Sequence, residues 1–182
     1  WKEQVKVLPP PPELPMIPKA KGYTSDNVFH HVGGLLTPNQ YKQFKKNCRA
    51  QHTTPTCVLL TVYALTLARF SKLQKFMLNI LHCLRHPVHE DVEKIIGNFS
   101  SSFLSIMNVN QSNSLISNIK QVTDELASAL EHACVSGVNV MEEVNKLHGT
   151  PFGAVCPFVF VSALGLEHAL PNWNDLEFEE SS

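Results

Sequence analysis

The sequence predicts an α/β domain in which helices are layered on a mixed β-sheet. Two observations carry this. Segments at 75–84, 99–109 and 155–162 that read as strands are interleaved with longer segments of helical apolar period. Hydrophobic residues make up 43% of the 182-residue chain and charged residues 17%, which fits a chain with a real core and excludes a disordered tail. Strands and helices alternate irregularly, so a mixed sheet is expected, not a uniformly parallel one.

Residues 1–22 (WKEQVKVLPPPPELPMIPKAKG) form a proline-rich lead-in. Pro9 to Pro12, Pro15 and Pro18 cannot continue a helix or a central strand. The stretch is expected to be extended and draped on a surface. Leu8, Leu14, Met16 and Ile17 favour docking onto the chain's own domain, taken as residues 23–182, over a free linker.

Asn27 to Leu36 reads as a strand despite Gly33 and Gly34. Thr37-Pro38-Asn39-Gln40 then opens a helix. Thr37 caps, Pro38 suits the first helical position, and Gln40 completes a capping box. Tyr41, Phe44 and Cys48 share one face, with Lys42, Lys45 and Lys46 on the other. Thr54-Pro55 starts a second helix, to about Ser71. It is apolar nearly all round, which predicts a central buried helix.

Lys75 to Leu84 is expected to be a strand, His86 to Asp91 a loop, and Phe99 to Val109 a second strand. Leu115, Ile119, Val122, Leu126, Leu130 and Ala133 predict a long helix over about 113–135, with Gly137 terminating it. Val140, Met141, Val144 and Leu147 predict a short helix over about 139–148. Val155 to Ser162 reads as a third core strand, and residues 175–179 as a last short one.

Charge excludes several function classes. Fifteen Lys plus Arg against sixteen Asp plus Glu give a net charge of -1, without the basic excess of a nucleic-acid partner or the polybasic run of a lipid surface. Cys57 to Ala68 is too short to span a bilayer. Five cysteines without a CxxC suggest reduced thiols and a cytoplasmic setting. The first residue, Trp1, suggests a piece of something longer.

No self-contained active site emerges from the residues. His82, Cys83, His86 and His89 are the densest metal-like cluster, but in a strand His82 and Cys83 point to opposite faces, so no metal is expected. Gly33-Gly34 lacks a phosphate-loop pattern, and no GxSxG occurs. His30-His31 begins HHVGGLL, with Leu35 and Leu36 where an HHxxxDG motif needs aspartate and glycine.

Five segments, in order, carry a resemblance. They are Trp1 with Leu8-Pro9 and Glu13-Leu14-Pro15; Thr54-Pro55-Thr56 with Leu59-Leu60, Tyr63-Ala64, Leu67-Ala68 and Ser71; Ile96-Gly97-Asn98-Phe99-Ser100; Ser136-Gly137-Val138; and Pro157 to Gly165 (PFVFVSALG). Together they resemble the heterocyclization domains of nonribosomal peptide synthetases: the lead-in W…LPxxPxLP, the helix TPSxxLLxAYxxxLAxWS, the VGDFT, SGV and PVVFTSALG motifs.

The resemblance implies a chloramphenicol-acetyltransferase-like lobe, the C-terminal one of two that enclose a tunnel. It implies that carrier-bound acyl and cysteinyl, seryl or threonyl thioesters are condensed and cyclodehydrated to a thiazoline or oxazoline. No cofactor is then bound directly, because substrates arrive on the phosphopantetheine of carrier domains. The implied partners are the N-terminal lobe, peptidyl or aryl carrier domains and adenylation neighbours. This piece alone would catalyse nothing.

The tunnel positions implied from this half are Asn98, Ser100, Val161 and Ser162. Asn98 and Ser100 stand where the family has the aspartate and threonine of DFT, and Val161 where it has the threonine of FTS. Asn98 offers no carboxylate, and Val161 offers no hydrogen bond. A non-catalytic module that docks carrier or partner domains is the alternative. An acyltransferase-like enzyme using CoA thioesters is a third and weaker one.

Overall fold

Helix α1 (Pro38–Ala50) starts as its sequence dictates. The Thr37 hydroxyl accepts the Gln40 N–H at 3.3 Å, and the Gln40 side chain accepts the Thr37 N–H at 2.8 Å. The computed structural model describes residues 4–15, 31–83, 85, 87–148 and 156–164. Helix α2 (Pro55–Ser71) is capped in the same way by Thr54, whose hydroxyl accepts the Cys57 N–H. It ends at Lys72, which takes a left-handed conformation with φ 58°.

Strands β1 (Lys75–Cys83) and β2 (Ser100–Asn108) pair antiparallel, with Lys75 opposite Asn108 and Cys83 opposite Ser100. Strand β3 (Val159–Val161) pairs parallel with β1, so among the described residues the sheet is mixed and ordered β2-β1-β3. Between β2 and β3 lie helices α3 (Leu115–Glu131) and α4 (Gly137–His148). Asn118, only 2% exposed, pins the β2-to-α3 turn: its amide donates to the Asn110 carbonyl at 2.9 Å and accepts the Asn110 N–H at 2.8 Å.

Alternation along the strands gives the sheet two faces, and each buries its own core. On the first, Phe76, Leu78 and Ile80 with Phe103 and Met107 pack against Leu60, Ala64 and Leu67 of α2 and Val122 and Leu126 of α3. On the second, Met77 and Leu104 pack against Val140 and Val144 of α4, Cys156, and Val5 from the lead-in. Residues 4–15 lie against the domain. They begin with a 3-10 turn at Gln4–Val7, and the Pro10 carbonyl accepts the Met77 N–H at 3.2 Å.

Four expectations need correction. Residues 31–36 are not a strand: they have no regular structure, and Val32 (95%) and Leu35 (100%) lie in solvent. Without a neighbouring strand, an apolar pattern has nothing to pair with. Helix α2 is not buried all round, because Leu59, Val62 and Phe70 are exposed. Gly137 does not end the long helix. Helix α3 stops at Glu131, and Gly137 is the first residue of α4. Strand β3 is also shorter than expected. The sequence-predicted strand at 175–179 lies outside the described residues.

Candidate functional site

The Asn98–Phe99–Ser100 segment enters β2 at the end of the sheet where β1 finishes. The Asn98 Oδ1 accepts the Ser100 N–H at 2.9 Å, a local turn that presents the start of the strand. A carboxylate at position 98 would accept the same bond, so asparagine keeps the geometry and lacks only the charge and basicity.

Val161 ends β3 directly beside Leu81, which in turn sits opposite Ser102 of β2. Ser102, Leu81 and Val161 thus form one row, with about 10 Å between the outer two at normal strand spacing. Ser100 lies two residues from Ser102 and shares its face. Val161 is 59% exposed and Ser100 is exposed, so this end of the second face is open.

Helix α4 starts over the same row. A Cβ on Gly137 would meet the Ser102 Oγ at 3.0 Å and the Phe103 Cα at 3.3 Å, so any larger residue here must push the helix or β2 back by a few tenths of an ångström. Ser136 caps this start, with its hydroxyl accepting the Asn139 N–H.

Ser162 is placed differently. Its hydroxyl lies 3.0 Å from the Thr56 Oγ1 in the first turn of α2, on the first face. Phe160, on that same face, meets the Tyr63 ring at 5.9 Å. Burial raises the pKa of the Tyr63 phenol and keeps it neutral. The register therefore puts Ser100, Ser102 and Val161 on one face, and turns Ser162 towards α2.

The other candidates lie apart from this row. His82 stacks edge-on against Phe103 at 4.9 Å on the first face, whereas Cys83 is exposed. His89 accepts the Asp91 N–H in a surface turn, and His31 is exposed. His30 and His86 are outside the described residues. Among the described residues no group of three or more His, Cys, Asp or Glu could hold a metal ion. A cavity of about 390 Å³ lies at the opposite end of the sheet, against Val7, Leu8, Lys75 and His132.

Sequence reasoning missed Arg85 and Ser102. Neither belongs to a periodic pattern: Arg85 contacts the Val92 and Ile95 carbonyls and the Phe99 ring across a loop, and Ser102 gains its place only by pairing with Leu81.

Comparison with known proteins completes the assignment. Residues 1–148 match the condensation domain family. The chain belongs to that family. It is 34% identical over 166 residues to the phenyloxazoline synthase MbtB of Mycobacterium sp. (strain MCS), covering 91% of this chain and 14% of the synthase. It is 25% identical to the pyochelin synthetase PchF of Pseudomonas aeruginosa (strain UCBPP-PA14), over 91% of this chain and 9% of PchF. A solved structure of the EpoB NRPS cyclization-docking bidomain from Sorangium cellulosum superposes with a TM-score of 0.76 at 34% identity, over 91% of this chain and 33% of that one. The condensation-domain chain thus fits the heterocyclization type of nonribosomal peptide synthetase domain, as its five motifs imply, and spans a small part of these relatives. Among its described residues no single helix is long and apolar enough to cross a membrane.

Proposed function

We propose that this condensation-domain chain is the C-terminal lobe of a heterocyclization domain. With an N-terminal lobe it condenses carrier-bound thioesters, then closes a cysteine, serine or threonine side chain onto the new carbonyl with loss of water. The observation that supports this best is the row Ser102–Leu81–Val161 with Ser100 beside it. Two segments distant in sequence, both carrying heterocyclization-type motifs, lie on one sheet face, exposed at Ser100 and Val161. Ring closure requires proton transfer at a tetrahedral carbon, which hydroxyls and a carboxylate on such a face would serve. On this reading phosphopantetheine arms deliver the substrates, the neighbours are carrier and adenylation domains, and the chain alone turns nothing over.

A second reading is favoured by Asn98 and Val161: a condensation-like module that docks carriers without forming rings. Neither side chain offers a proton acceptor of useful basicity. The complete synthetase module with loaded carriers separates the two. Mass spectrometry is expected to find condensed product lighter by one water, and Asn98→Asp with Val161→Thr is expected to raise its share. Condensed product that never loses water in either form points to a condensation-only role. The absence of any product in both forms supports the docking module.

A further inference from the structure

We propose that Arg85 is a positioning residue for the Asn98–Phe99–Ser100 segment; this rests on the reading that the segment faces the substrates. Arg85 follows β1 by two residues. Its Nη1 donates to the Val92 carbonyl at 2.7 Å and to the Ile95 carbonyl at 2.9 Å. Its guanidinium carbon also stands 3.9 Å from the centre of the Phe99 ring. One side chain thus holds both ends of the 3-10 turn Val92–Lys94 and the residue between Asn98 and Ser100.

The connection from β1 to β2 needs such a clamp. Of its described residues only Val92 is fully buried, while Ile95, Ile96 and Asn98 are exposed. Hydrophobic packing therefore leaves most of this segment unfixed. A guanidinium can stack on a ring and donate in its own plane at the same time. A lysine ammonium could donate to both carbonyls but has no plane to lay on the Phe99 ring at the same time, so it cannot reproduce the arrangement. By holding Phe99, Arg85 sets where the Asn98 turn releases the chain into β2 and hence where Ser100 stands on the face it shares with Val161.

The test uses the complete module carrying Arg85→Gln or Arg85→Lys, with amide hydrogen exchange and steady-state kinetics side by side. Both variants are expected to speed exchange at the Ser100 amide by about tenfold, because neither side chain holds the two carbonyls and the Phe99 ring at once. Exchange in the centres of β1 and α2 is expected to stay unchanged. With loaded carriers, kcat is expected to fall and KM to hold, because the carriers still dock. Unaltered Ser100 exchange overturns the proposal. So does faster exchange spread through β1 and α2, or faster Ser100 exchange with unchanged kcat. Failure of the unsubstituted module to make any product would overturn the functional reading instead, and exchange alone would then decide whether Arg85 holds the segment.

Discussion

The hydroxyls of Ser162 and Thr56 lie 3.0 Å apart although 106 residues separate them in sequence. The contact ties the end of β3 to the first turn of α2, and so fastens the last described strand to the helix that fills the first face.

Thr56→Val and Ser162→Ala are each expected to lower stability by about 0.5–1.5 kcal/mol, the usual net value of one hydrogen bond. The double variant is expected to cost less than the sum, because the two residues share one interaction. Denaturant unfolding of the four forms measures the coupling. A strictly additive result would show that the hydroxyls do not interact.

Gly137→Ala is expected to destabilise by about 1–3 kcal/mol, an overpacking cost. The added methyl meets the Ser102 Oγ and the backbone of Ser102 and Phe103, and backbone cannot rotate aside. Ser136→Ala removes the cap of the same helix without a clash, at about 0.5–2 kcal/mol. Thermal unfolding of both variants checks this. A Gly137→Ala protein as stable as the parent would refute the close approach of α4 to β2.

Cys156 supplies a pH prediction. Burial raises its thiol from the ordinary 9.0 to about 11, only partly offset by N–H groups of Phe158 and Asn79. The thiol is neutral in both folded and unfolded chains below about pH 9. Between 9 and 11 the unfolded chain ionises first, so stability is lost as pH rises, by roughly 2–3 kcal/mol. Cys156→Ala removes that dependence. Comparing the two unfolding midpoints from pH 8 to pH 11 tests it, and parallel curves would sink the assignment. Iodoacetamide at neutral pH is expected to label the exposed Cys83 and Cys134 and to spare Cys156.

The starts of α1 and α2 were legible in the sequence. Thr37-Pro38-Asn39-Gln40 and Thr54-Pro55 carry their caps within four residues, and the structure places the helices there. The long strands β1 and β2 were legible too, because each carries a short apolar stretch, Phe76 to Leu81 and Phe103 to Met107, that is interrupted by polar residues and lacks helical period. The stretch 31–36 misled for the same reason. Its residues favour extension, but a strand exists only where another strand pairs with it.

The candidate positions were legible only through resemblance, residue by residue. What the sequence determined was the inventory: the caps, the strand-forming runs, the five motifs, and the loss of a carboxylate at Asn98 and a hydroxyl at Val161. Tertiary structure decided which of these meet. Pairing of β1 with both β2 and β3 puts Ser100 and Val161 on one face, while the two-residue period turns Ser162 away to Thr56. It also decided that Gly137 begins a helix against β2 and that Arg85 braces Phe99. Such contacts depend on register and on distances between segments far apart in the chain, and local propensity carries no information about either.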